Sequence, residues 1–325
     1  MKIIFHQGGR QVDLSAARAQ FPAARFVEAE TPADVKADIT DAEILVIATS
    51  GYDEAMARVI LDGAKALKWV HFTTSGIDGA IKVGGFPAGV TVTNSAGLRA
   101  NNLTDHAFGM LLFLARNFRG TERARAKKVW DRPALSPTIY GLEGLTMTIV
   151  GLGALGQAAA RKAKAFDMRV LGVSRAYKPD GTVDEVFPRE RAKEAIARAD
   201  ALLIAVPSEP QTRGFIDGAM LKAMKKTAWI VNVSRGDVID EPALIAALKA
   251  GTIAGAGLDV TVEEPLPRDN ELWTLDNVFI APHVGGSGTH THAPMVKIFT
   301  DNLERYLKRQ PLKLVVDWQA MMNEA

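Results

Sequence analysis

The chain has 325 residues, 47% of them hydrophobic and 23% charged, with a net charge of +2 and no cysteine. That length exceeds what one hydrophobic core supports and predicts two domains. The near-neutral balance gives no ground for a nucleic acid or an anionic membrane as partner, and the missing cysteine excludes disulfides, thiolate catalysis and cysteine-ligated metal. No apolar run reaches the roughly 18 residues that span a bilayer, and MKIIFHQGGR is too short in apolar run for a signal peptide, so a cytoplasmic enzyme is expected.

Strand-like and helix-like stretches alternate from the first residues. Lys2–Phe5 reads as a strand and Asp13–Phe21 as a helix with Asp13 as its N-cap. Glu43–Ala48 (EILVIA) is a continuous apolar run, as in a buried parallel strand. A helix over Asp53–Ala66 and strands at Trp69–Phe72 and Val90–Thr93 follow. This order predicts βαβ units and a doubly wound α/β sheet. Two loops fall at strand ends, where such sheets place ligands: Thr49–Asp53, with Tyr52, and Thr73–Gly79. By itself the second reads as a glycine-rich turn capped by Asp78, with a carboxylate-binding backbone nest as the alternative.

Asn101–Arg119 is an apolar helix that continues in basic form through Lys128. It is expected to link the two domains, and its surplus of apolar residues points to a subunit interface; His106 on it reads as a packed histidine. Leu145–Gly156 (LTMTIVGLGALG) then runs from a strand into Gly151-x-Gly153-x-x-Gly156 and a helix through Phe166. Gly151 permits the tight turn, Gly153 lets a pyrophosphate approach, and Gly156 lets the helix pack on the strand. The helix N-terminus adds free N–H groups and partial positive charge. This strand–turn–helix setting is what turns the glycine spacing into a dinucleotide site.

Further strands are expected at Arg169–Val173, Ala201–Val206, Ala228–Val233, Ile253–Leu258 and Val278–Ala281, with a helix at Glu241–Ala250 capped by Asp240. Arg235, Glu264 and His283 each lie just past one of the last three. In a parallel sheet those ends share one edge. An arginine there can fork onto a carboxylate and a carbonyl oxygen. A histidine can exchange a proton near neutral pH, and an adjacent carboxylate can orient it. Each alone reads as a surface or structural residue; together, beside a dinucleotide fingerprint, they point to catalysis. A helix over roughly Thr289–Leu307 is expected to return the chain to the first domain. His290 and His292, two apart, do not share a helical face, and no metal is expected. Trp318, Met321 and Met322 read as core packing or as cover for a pocket or partner.

The motifs GLGALG at 151–156, NVSRGDVIDEPAL at 232–244, GAGLDVTVEEPLP at 255–267 and LDNVFIAPHVGG at 275–286 resemble, in order and spacing over essentially the full chain, the NAD(P)-dependent D-isomer-specific 2-hydroxyacid dehydrogenases. The resemblance implies a flavodoxin-like substrate domain of residues 1–98 plus 286–325, an inserted Rossmann coenzyme domain of 99–285, and a homodimer through the latter. It implies that Arg235 holds the substrate carboxylate and carbonyl, that His283 is the acid/base, and that Glu264 pairs with it. Asp259 would contact the nicotinamide carboxamide, and Ala154 and Leu155 would face the pyrophosphate. Pro207 and Thr212 would line the cofactor path, with Val233 and Gly285 beside it. TSGID at 74–78 matches the family's carboxylate loop, so Ser75 and Gly76, with Tyr52 near by, become substrate residues.

One departure concerns the cofactor. An acidic residue that binds the adenosine ribose normally ends the second strand of an NAD site. Here the strand ends Gly172-Val173-Ser174-Arg175, with Lys178 beyond. Ser174, Arg175 and Lys178 suit a 2′-phosphate, which favours NADP(H), with NAD(H) as the alternative if Arg175 only stacks on adenine. The expected substrate is a small 2-keto acid such as glyoxylate or hydroxypyruvate. Runner-up readings are a 3-phosphoglycerate or phosphite dehydrogenase, or a non-catalytic nucleotide-sensing protein like the related corepressors.

Overall fold

The computed structural model describes residues 1–6, 8–9, 12–175, 181–288 and 292–324, and the chain divides into two units: Met1–Arg99 with Gly288–Ala325, and Ala100–Ser287. Lys178 and His290, both singled out from the sequence, lie outside the described residues. Among the described residues no helix is long and apolar enough to cross a membrane.

The first unit is built on five strands: β1 (Lys2–His6), β2 (Arg25–Ala29), β3 (Ile44–Ile47), β4 (Trp69–Phe72) and β5 (Thr91–Thr93). They pair in the order β2-β1-β3-β4-β5, all parallel. Apart from the buried His6 and His71, the three inner strands are largely apolar on both faces because helices cover both. Ile4, Leu45 and Val70 face the helix Glu54–Gly63 through Met56 and Ile60. Ile3, Ile44 and Trp69 face the helix His292–Leu307, whose Met295, Val296, Phe299 and Leu303 repeat at helical spacing. Phe299 stacks on Trp69 with ring centroids 5.4 Å apart. Burying a side chain of that size stabilises by about 2–3 kcal/mol. In the C-terminal segment Trp318 meets Phe86 edge-on at 5.1 Å, and Trp318 and Met321 pack on the first of these cores.

The second unit carries β6 (Thr146–Val150), β7 (Arg169–Val173), β8 (Glu185–Phe187), β9 (Ala201–Ile204), β10 (Trp229–Asn232), β11 (Gly255–Leu258) and β12 (Val278–Ile280). Their order is β12-β11-β10-β9-β6-β7-β8, all parallel, so every C-terminal end lies on one edge. The winding reverses between β6 and β9, which is where a doubly wound sheet opens a crevice. One face is covered by helices Ala100–Ala115 and Ala154–Ala165, the other by Ala192–Ala197, Gly218–Ala223 and Glu241–Lys249.

Two local expectations are corrected. Asp13 does not cap the first helix, which begins at Ser15; its Oδ1 instead accepts the Ser15 N–H at 2.8 Å, an Asx turn before the helix. The long helix expected through Lys128 ends at Ala115. Asn117, in the left-handed region at φ 46°, caps a new helix, Phe118–Ala126, by accepting the Gly120 N–H at 3.0 Å.

Candidate active site

At the end of β6 the chain turns sharply at Gly151, whose φ of +96° favours glycine and whose N–H bonds the Val173 carbonyl at 2.9 Å. A Cβ at Gly156 would lie 1.9 Å from the Gly151 carbonyl oxygen, so only glycine lets the helix Ala154–Ala165 start this close to the strand. At Gly153 a Cβ would meet nothing within 4 Å, which leaves the loop open above it. No side chain caps that helix, so the first-turn amides, those of Ala154 and Leu155 among them, are left for an outside acceptor.

A cavity of about 280 Å³ opens here, between the fingerprint loop and the ends of β7 and β9. Ser174 and Arg175 lie at one wall and Pro207 and Thr212 at another. Thr212 is only 4% exposed, and its hydroxyl donates to the Pro207 carbonyl at 2.6 Å, so it shapes the wall. The glycine turn, the uncapped helix and the adjoining cationic wall fit a dinucleotide phosphate. Arg189 also lines the cavity, over the Phe215 ring at 5.1 Å, and sequence reasoning missed it. It follows the edge strand β8, whose apolar run is too short to stand out.

Three loops at the ends of the neighbouring strands β10, β11 and β12 carry Arg235, Glu264 and His283. Asn232 shapes the first: its Oδ1 accepts the Ser234 N–H at 3.0 Å and its Nδ2 donates to the Arg235 carbonyl at 2.8 Å. Arg235 is half-buried, with Nη1 donating to the Ser234 carbonyl at 2.8 Å. Glu264 Oε1 accepts the Thr261 N–H at 3.2 Å, and Oε2 lies 2.7 Å from His283 Nδ1. A carboxylate anchored at one oxygen thus holds the imidazole by the other. With Nδ1–H donating its hydrogen bond to the Glu264 carboxylate, Nε2 is the nitrogen free to exchange a proton.

Asp259, 1% exposed, accepts the N–H groups of Val284 at 2.9 Å and Gly285 at 2.9 and 3.1 Å. Val233 is buried, leaving only its main chain for a ligand.

In the first unit, the Ser75 hydroxyl donates to the Ser95 carbonyl at 2.9 Å, and the Gly76 carbonyl accepts from Thr49 Oγ1 at 2.9 Å. Tyr52 is a correction. Its ring is 4% exposed, stacks on Phe86 at 5.1 Å, and gives its hydroxyl to the Gly84 carbonyl at 2.9 Å. Burial raises its phenol pKa, and the group is a core anchor instead of a substrate contact.

A dinucleotide fold and an imidazole–carboxylate pair on the same sheet edge describe an NAD(P)-dependent oxidoreductase. Residues 108–285 match the family model described as D-isomer specific 2-hydroxyacid dehydrogenase, NAD binding domain. The chain belongs to that family. It is 36% identical over 270 residues to a glyoxylate reductase of Pyrococcus furiosus, covering 82% of this chain and 79% of that one. It is 32% identical over 290 residues to a D-3-phosphoglycerate dehydrogenase of Methanocaldococcus jannaschii, covering 88% and 54%. A D-isomer specific 2-hydroxyacid dehydrogenase of Xanthobacter autotrophicus in complex with NADPH superposes with a TM-score of 0.81 at 25% identity, covering 98% and 99%.

Proposed function

We propose that this protein reduces a small 2-keto acid of the glyoxylate or hydroxypyruvate type to the 2-hydroxy acid, with NADP(H) as the favoured cofactor. The observation that carries the reading is the 2.7 Å contact between His283 Nδ1 and Glu264 Oε2. The nicotinamide supplies the hydride when bound. His283 Nε2 gives a proton to the carbonyl oxygen as the hydroxyl forms, and takes it back in the reverse direction. Glu264 fixes the tautomer and balances the imidazolium. Arg235 forks onto the substrate carboxylate and carbonyl. The fingerprint N–H groups at Gly153, Ala154 and Leu155 take the pyrophosphate; Asp259, Gly285 and the Val233 main chain lie on the nicotinamide side. Ser75 and Gly76 bind carboxylate, and the protein works as a cytoplasmic homodimer through the coenzyme domain.

NADP(H) is favoured because Ser174 and the exposed Arg175 follow β7 directly, so that neither of these two positions carries a carboxylate to repel a 2′-phosphate, and Arg189 lines the same cavity, as does Glu209. The Pyrococcus relative supports glyoxylate as substrate; the Methanocaldococcus relative supports a phosphorylated acid as the second reading. Measuring kcat/KM for glyoxylate, hydroxypyruvate and 3-phosphohydroxypyruvate with NADPH and with NADH separates these. His283→Ala is expected to lower turnover roughly 10²- to 10⁴-fold while NADPH still binds. Turnover that survives in this variant would falsify the acid–base assignment, and a clear NADH preference would overturn the cofactor reading.

A further inference from the structure

His106 lies far from His283 in sequence, on the helix Ala100–Ala115. That helix packs against β11 at Gly257, where an added Cβ would come within 2.9 Å of Met110 Cβ. Four residues before Met110, about 6.0 Å along the helix, is His106; two strand residues beyond Gly257, about 6.6 Å, is Asp259. The near match of these two lengths brings the side chains together. His106 Nε2 is 3.3 Å from Asp259 Oδ1, and the Asp259 carboxylate is fully shielded from solvent. The contact is oblique, not aligned as a hydrogen bond.

What Asp259 holds is the backbone that carries His283. Its carbonyl accepts the His283 N–H at 2.8 Å, and its carboxylate accepts the next two N–H groups. His283 itself sits at φ 54°, a left-handed conformation that a non-glycine residue keeps only when its surroundings enforce it. Gly285 is pressed between the same two side chains: a Cβ there would fall 2.7 Å from Asp259 Oδ2 and 2.9 Å from His106 Cδ2. The imidazole of His106 is therefore both a wall for Gly285 and a polar neighbour for a carboxylate that has left water.

We propose that His106 is a positioning residue for the reaction: by bracing Asp259 and Gly285 it holds the 283–285 backbone so that the His283 imidazole stays on Glu264. This rests on the reading of His283 as the acid–base group. An imidazole displaced by even an ångström loses proton-transfer geometry, at a cost of the order of 10²-fold in rate.

The test compares His106→Ala, His106→Gln and His106→Asn in the full-length protein, by steady-state kinetics with NADPH and glyoxylate, NADPH binding and thermal unfolding. His106→Ala is expected to lower kcat about tenfold or more, with the dissociation constant for NADPH within about twofold of wild type. Gln, whose amide reaches the place of Nε2, restores most of kcat; Asn, whose amide falls short, does not. If the Ala variant fails to fold, the Gln and Asn pair carries the same comparison. Wild-type kcat in the Ala variant, or equal kcat in Gln and Asn, overturns the proposal. His283→Ala is run beside them: full turnover there removes the acid–base reading itself, whatever His106 does.

Discussion

Glu264 and His283 are 19 residues apart in sequence, yet Oε2 and Nδ1 meet at 2.7 Å because β11 and β12 are neighbours and end at the same edge. The carboxylate is anchored by the Thr261 N–H at 3.2 Å, which fixes the orientation of the pair. Glu264→Gln keeps an acceptor for the Nδ1 proton but removes the charge that balances an imidazolium. Turnover in the reductive direction is expected to fall about 10²-fold with NADPH affinity unchanged. A Gln variant with wild-type kcat would show that the carboxylate charge is not used.

Gly153 and Gly156 make a contrast that separates folding from binding. At Gly156 the added Cβ would meet a backbone oxygen at 1.9 Å, which no side-chain adjustment relieves. Gly156→Ala is expected to lower unfolding stability by about 2 kcal/mol or more and to abolish dinucleotide binding. At Gly153 the Cβ has open space, so Gly153→Ala should unfold like wild type. It should nonetheless bind NADPH at least about tenfold more weakly, because the methyl enters the space where a pyrophosphate approaches. Urea unfolding and NADPH fluorescence titration check both. Unchanged NADPH binding in the Gly153 variant would remove the pyrophosphate from this loop.

Ser174 tests the cofactor reading. Ser174→Asp restores at the end of β7 the carboxylate that ribose hydroxyls favour and a 2′-phosphate does not. The ratio of kcat/KM for NADPH to that for NADH should fall by about tenfold or more, a change of roughly 1.4 kcal/mol in discrimination. A ratio that does not move places the 2′-position away from Ser174.

The inner strands were legible because parallel strands covered on both faces become unbroken apolar runs, as in ILVI of β3 and ALLI of β9. The edge strands β2 and β8 were not. Arg25–Ala29 is mostly exposed or half-buried and Glu185–Phe187 has three residues, so neither carries a run that periodicity detects. Missing β8 also hid Arg189. Arg235, Glu264 and His283 were readable from their places just past strands, whereas the contact of His106 with Asp259 depends on how a helix lies across a sheet. Tyr52 shows the converse error: a loop position suggested a ligand contact, but an aromatic ring with core space beneath it turned inward.

His71 offers a test in the first unit that involves no cofactor. It is fully buried on β4, and Trp69 Nε1 donates to Thr93 Oγ1 at 2.7 Å, whose hydroxyl is then left to donate to His71 Nδ1 at 2.8 Å. Ser95 Oγ donates to the Phe72 carbonyl at 3.0 Å and so accepts from His71 Nε2, at 3.2 Å. This chain of donors fixes a neutral imidazole with its proton on Nε2, and burial lowers the pKa from 6.5 to about 3. In the unfolded chain the same group takes a proton near its ordinary value. Between those two values the unfolded state binds more protons, so the contribution of His71 is complete above about pH 6.5 and declines on acidification, by up to roughly 1.4 kcal/mol per pH unit. His71→Leu removes the titration and the bonds together, and is expected to cost about 1–3 kcal/mol at pH 7. Its deficit against wild type should shrink as the pH falls from about 6.5 toward 4, since only the wild type then loses the advantage of a neutral imidazole. Urea unfolding of both proteins across that range reads the difference directly, and carboxylates common to both cancel. A deficit that stays constant with pH would mean that His71 titrates no differently in the folded and unfolded chains.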